Sequence, residues 1–269
     1  MKSKIILFTI FMCFGVQISQ AQFLKKLKKK VEQKVENVVI EKAANKAAEK
    51  ASKSMDKAFE VNPFGGSGGK EKADPSSVAD SYDFTWKYSL KMTSKEGDMV
   101  FDYYLKPDMS FFGFETPLMG DMFMIMDNGN SIIVTFMKSE ENNIGMVSKM
   151  NMDLVTEASK DEATSFRFET LADKTIMGFL CKGIRATNER YEIEMYFTDE
   201  APVSFDDIYK NQNKNMPSGL ENYFNEKDHV LMIQMDMKDL KNNELNATME
   251  CIGLEEVQKS IKKSDYKFM

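Results

Sequence analysis

From residue 81 the chain alternates apolar and polar positions. Tyr82, Phe84, Trp86, Tyr88, Leu90 and Met92 fall on one side; Asp83, Thr85, Lys87, Ser89 and Lys91 fall on the other. A period of two over that length predicts a half-buried antiparallel strand. Lys95-Glu96-Gly97-Asp98 reads as a turn, and Met99, Phe101, Tyr103 and Leu105 resume the alternation on a second strand. The same pattern predicts strands over 109–115, 121–127, 131–138 and 144–150, with Asp127-Asn128-Gly129-Asn130 a strong hairpin signal. Further strands follow over 164–171, 175–187, 190–198, 229–238 and 245–254, about eleven in all. Residues 151–163 read as a polar loop. Between 203 and 225 the alternation stops, and SFDDIYK and PSGLENYF read as short helices, with Pro217 suited to a first helical turn.

Each predicted strand has one apolar face rich in Met, Phe and Tyr. So many strands of that kind must curl, because a flat sheet would leave the apolar face wet. The expected fold is mainly β: a curved antiparallel half-barrel over 78–269, closed by a few short helices. A two-sheet sandwich is the alternative.

Upstream the period changes. Leu24, Leu27, Val31, Val35, Val38 and Val39 recur at helical spacing, and the Ala- and Lys-rich stretch that follows is a strong helix former. A long basic helix is predicted over 22–60. Residues 61–77, with Pro63, four glycines and Pro75, read as a flexible linker. The first 21 residues read as a cleavable secretory signal. Lys2 and Lys4 precede the apolar run 5–16, and Ser19 and Ala21 supply the small residues a leader peptidase needs. Twelve helical residues rise only about 18 Å, too little for a bilayer core of about 30 Å. The expectation is export to the periplasm or beyond, with a position peripheral to the outer membrane also open.

Charge sharpens this division. The chain carries 36 basic and 42 acidic residues. Residues 22–60 hold 11 lysines against 6 acids, whereas 61–269 hold 23 basic against 36 acidic residues. So acidic a body argues against nucleic acid as a partner, since phosphate binding needs a positive surface. The arm invites two readings. In one, Phe23, Leu24 and Leu27 insert into an anionic membrane while Lys25, Lys26, Lys28, Lys29 and Lys30 face its headgroups. In the other, the arm is a solvated spacer or pairs with a protein partner.

At 175–183, TIMGFLCKG, and 191–205, YEIEMYFTDEAPVSF, the chain resembles a family of exported bacterial proteins grouped as domain of unknown function 4412. Thr175-Ile176, Gly178 followed by an aromatic, Cys181-Lys182, Thr198-Asp199-Glu200 and Pro202 carry the resemblance. Phe179 stands where a Tyr is more typical, and Tyr196-Phe197 replaces a Trp-Tyr-like pair. The family is similar to the lipoprotein-carrier (LolA-like) fold. That implies a curved antiparallel sheet with helices over its concave face, a cavity beneath them, and no catalytic residues to carry across.

The search for chemistry finds little. His229 is the only histidine, so a zinc site would need thiolates or carboxylates at ligand spacing, and none stand there. GGSGG at 65–69 lacks the Lys and Ser/Thr of a phosphate loop, and no serine sits in a nucleophile elbow. Glu192 and Glu194 share a strand face, and Asp206-Asp207 are adjacent, but both sets read as solvent-facing. No enzyme activity, cofactor or metal is expected. The leading expectation is an envelope binding protein that holds a lipid or acyl chain on the concave face, lined by Phe84, Trp86, Tyr88, Phe101, Tyr103, Met195 and Phe197. The alternative is an envelope interaction protein with a closed core. Cys181 and Cys251 both point to the apolar side, and export would permit a disulfide between them.

Overall fold

The computed structural model describes residues 68–95, 97–138, 142–150, 166–205, 229–243 and 246–268. The signal segment, the basic arm with its membrane-contact residues, the loop at 151–163 and most of the region predicted as helical lie outside them.

The alternating segments form thirteen strands in one curved, open, antiparallel sheet. In chain order these are β1 (Gly68–Lys72), β2 (Ser81–Ser94), β3 (Gly97–Leu105), β4 (Phe111–Glu115), β5 (Met122–Asp127), β6 (Ile132–Met137) and β7 (Ile144–Met150). Then come β8 (Arg167–Ile176), β9 (Phe179–Thr187), β10 (Tyr191–Thr198), β11 (Leu231–Asp239), β12 (Ala247–Lys262) and β13 (Lys267–Phe268). Spatially the sheet runs β1-β7-β6-β5-β4-β3-β2-β12-β11-β10-β9-β8, and β13 pairs in parallel with β7. The two longest strands, β2 and β12, lie side by side at its centre.

Several elements differ from the sequence reading. Residues 68–72 are not linker: they pair with β7 as β1. The stretch 175–187 is not one strand. Met177 (φ 53°) and Gly178 (φ 87°) make a two-residue turn between β8 and β9. Both central residues of such a turn need positive φ, which glycine adopts without strain. β12 runs on to Lys262 rather than stopping near 254, and its alternation is hidden by two register shifts, at Cys251/Gly253 and Glu256/Lys259.

A larger difference concerns the faces. Strands β4 to β6 are buried on both sides: FFGF, MFMIMD and IIVTF are almost unbroken runs of buried residues. One side belongs to a large cluster with Tyr88, Phe101, Phe112, Met126 and Met195. The other holds a second cluster of Phe84, Tyr104, Phe123, Ile125, Val134 and Phe136. The return of the chain after β12 covers this second side. A 3-10 turn at Lys263–Asp265 leads into β13, and Tyr266 and Phe268 pack on Phe136 with ring centroids 4.7 and 6.0 Å away. Gly113 lies where rings crowd closest, since a Cβ there would fall 2.3 Å from Phe123 Cζ.

The outer face of the other half is solvated instead. Arg185 bridges Glu169 and Glu194, and Lys238 pairs with Glu192 at 2.7 Å. These exposed pairs contribute little stability individually. They do keep Glu192 and Glu194 occupied on the outer surface.

Candidate functional site

The inner face is built row by row from the strand register. One row is made of methionine. Met195 on β10 faces Met235 on β11, Met235 faces Met249 on β12, Met249 faces Met92 on β2, and Met92 faces Met99 on β3. Five thioethers thus lie side by side across five adjacent strands, all buried. The next row but one runs the other way from the centre: Tyr88, Tyr103, Phe114, Met124, Thr135 and Met146, from β2 to β7. Between them lie Leu90 and Phe101, opposite one another.

Two contacts show how strongly this face curls. The Tyr88 hydroxyl reaches past β12 and donates to the Met232 carbonyl on β11 at 2.5 Å. The register shifts at this point of the β10–β11 ladder, between Tyr196 and Phe197, where Phe197 pairs with Met232. Phe205, seven residues beyond the end of β10 in the sequence as Thr198 closes that strand, sits over strands three to five places away. Its ring lies 6.0 Å from Tyr88, 5.5 Å from Tyr103 and 5.7 Å from Phe112.

The residues expected to line a site divide into three groups. Tyr88, Phe101, Met195 and Phe197 belong to the large cluster and are deeply buried. Trp86 and Tyr103 pack on that cluster but remain partly exposed. Phe84 is a correction. It lies in the second cluster, edge-on to Phe111 and Phe123 at 5.7 and 5.8 Å. It alternates in phase with Trp86, yet β2 bends where β12 shifts register opposite it, between Glu256 and Lys259. Cys181 and Cys251 are both buried and unbonded. Burial pushes both thiols above their ordinary pKa, and Glu200 adds to the effect at Cys181.

The turn motif has a structural role here. The Glu200 carboxylate accepts the Leu180 amide at 2.9 Å, and Asp199 pairs with Lys182 at 3.4 Å. The Thr198-Asp199-Glu200 segment therefore ties the end of β10 back to β9.

Sequence reasoning missed two features of this face. Phe205 was placed in the predicted helical segment, although its neighbours Val203 and Ser204 are also buried. Thr135 and Ser148 passed as ordinary polar positions in a strand. Their hydroxyls are shielded from solvent without a hydrogen-bond partner, as is that of Thr116 just beyond β4. A buried hydroxyl left unpaired costs about 1–3 kcal/mol.

Among the described residues, no group of His, Cys, Asp and Glu side chains could hold a metal ion. No helix there is long and apolar enough to cross a membrane. A surface hollow of about 480 Å³ lies away from the inner face, where Lys262, Lys263 and Tyr266 meet Asp80 and Ser81.

No family model matches the chain, and no curated protein matches it either. Among solved structures, an uncharacterised conserved protein from Thermus thermophilus is similar over 68% of this chain and 82% of its own, at 9% identity and a TM-score of 0.36. The Pseudomonas aeruginosa MucA/MucB complex matches over 68% of this chain and 54% of the other, at 7% identity and a TM-score of 0.33. A LolA superfamily protein from Nitrosomonas europaea matches over 64% of this chain and 85% of its own, at 12% identity and a TM-score of 0.23. The functional reading rests on this chain's own residues.

Proposed function

We propose that this chain is an exported envelope protein that holds an apolar ligand, a lipid or acyl chain, on the inner face of its curved sheet. The observation that carries this is the methionine row from Met195 to Met99, on the same face as the partly exposed Tyr103 and Trp86, which lie two and three rows away. Thioethers on unbranched side chains repack around ligands of varied shape at low cost. Each ligand methylene moved from water onto this face contributes about 0.8 kcal/mol. The ligand is held and released without a covalent step, and the chain acts as a carrier or receptor, not an enzyme. The basic arm, through Phe23, Leu24, Leu27 and the lysines at 25, 26 and 28–30, brings the body to an anionic membrane surface where such ligands reside.

A second reading is favoured by one observation. Tyr88, Phe101, Met195 and Phe197 are as buried as any core residue. On that reading the inner face is closed core, and the protein works by binding a partner through its arm. Native mass spectrometry of protein purified from its own envelope, with lipid extraction alongside, separates the two. Bound lipid released in stoichiometric amount supports the carrier. Protein that never retains lipid leaves the interaction reading.

A further inference from the structure

We infer that Thr135 and Ser148 form the polar end of the ligand site, taking the carbonyl oxygen of a neutral ester or amide lipid; this rests on the apolar-ligand reading above. Thr135 lies on β6 and Ser148 on the adjacent β7, and both face inward. Thr135 stands opposite Met146 and Ser148 opposite Ile133, so the two are diagonal neighbours on one face. Diagonal positions lie roughly 7–8 Å apart, close enough for two hydroxyls to bracket a single group. Thr135 is only 3% exposed and Ser148 7%, and neither hydroxyl has a hydrogen-bond partner. Buried polar atoms of folded proteins are nearly always paired, so two orphan donors side by side mark a place where something else supplies the acceptor.

The surroundings select the chemistry. Phe112, Phe114, Met124, Met126, Ile133 and Met146 share this part of the inner face, and none carries charge. A cationic headgroup has no anion to meet here. Lys72 on β1 stands opposite Ser148 but is exposed at the edge of the sheet, so an ionised carboxylate between the two buried hydroxyls would have no buried cation beside it, which is unfavourable. A neutral carbonyl accepts from a hydroxyl without bringing a charge indoors, and the methionines and phenylalanines take the chain attached to it. Thr135 continues the row that begins at Tyr88 and Tyr103, and Ser148 lies in the neighbouring row, so the polar end adjoins the proposed chain-binding surface. Glyceride and acylated-protein ligands share this carbonyl chemistry, and a free fatty acid does not.

The test uses the full chain with N-phenyl-1-naphthylamine as a carbonyl-free apolar probe. Dioctanoylglycerol and octanoate are the competitors. In the wild type, dioctanoylglycerol displaces the probe and octanoate at neutral pH does so far less well. The double variant T135V/S148A should fold with an unchanged or higher melting temperature, because it replaces unpaired hydroxyls with apolar groups of similar shape. It should keep the probe and lose about tenfold in affinity for dioctanoylglycerol, the effect of removing a net hydrogen-bond contribution of about 1.4 kcal/mol. T135S, which retains the hydroxyl, should keep most of the wild-type affinity. Undiminished dioctanoylglycerol binding by the double variant overturns this inference while leaving the carrier reading in place. So does stronger binding of octanoate than of the ester by the wild type. A wild type that binds neither probe nor lipid overturns both.

Discussion

The Tyr82 hydroxyl donates to Asp127 Oδ2 at 2.9 Å, joining the start of β2 to the turn after β5. Asp127 also accepts from the Asn130 amide at 3.0 Å and the Asn130 side chain at 2.8 Å. Both partners are buried. One carboxylate therefore shapes the β5–β6 turn and anchors the segment that closes the second core. Tyr82→Phe should cost about 2 kcal/mol, the usual range for losing a hydrogen bond to a charged acceptor. Urea unfolding at neutral pH measures it.

The same pair predicts a pH dependence. Burial, reinforced by the Asp127 charge, holds the Tyr82 phenol above its ordinary pKa of 10.0. The unfolded chain therefore ionises at this position first as pH rises. The stabilisation from Tyr82 is complete below pH 10 and is lost as pH climbs above it. The stability gap between wild type and Tyr82→Phe should narrow between about pH 10 and 11. A gap that widens would contradict the sign of this shift.

Gly113→Ala should destabilise by about 1–3 kcal/mol through overpacking. The new Cβ would sit 2.3 Å from Phe123 Cζ and 3.1 Å from Phe84 Cζ, and both rings are locked in the second cluster. Pairing the change with Phe123→Leu should recover part of the loss, which thermal melts of the single and double variants would show.

Cys181 and Cys251 should resist alkylation in the native protein, since both are buried and burial raises both thiols. Unfolding without reductant should expose both of these thiols to iodoacetamide. A mass short by two hydrogens, with no label taken up, would show that the pair oxidises instead.

Much of the sheet was legible because its strands are long and regular. Residues 82–92 of β2 alternate apolar and polar types in the sequence, and Asp127 to Asn130 announce their turn by composition alone. What was not legible lies where one face is not the whole story. The runs in β4, β5 and β6 have no polar side because both sides are covered, and continuous apolar runs are the mark of strands buried on two faces. The last third of β12 reads as polar because Val257 and Ile261 are spaced across a register shift. Phe84 was assigned with Trp86 by parity, and parity fails once the strand bends. The methionine row was invisible for another reason: it draws one residue from each of five strands, and only the register aligns them.

The position of β13 carries a consequence for how this chain reaches its final shape. Ser81 pairs with Lys262, and the outer edge of β7 is completed by β1 on one stretch and by Lys267 and Phe268 on another. The central seam of the sheet and the cover of its second core thus wait for residues near 260, long after β2 to β7 have been synthesised. Contacts so distant in sequence make folding slow, because the chain loses its freedom before those contacts repay it. Until then Phe123, Phe136 and the Ile144–Gly145 stretch of β7's edge stay open to other strands, so the incomplete chain is the species most exposed to aggregation. A sheet whose seam closes only when residues near 260 arrive keeps its two halves apart until then.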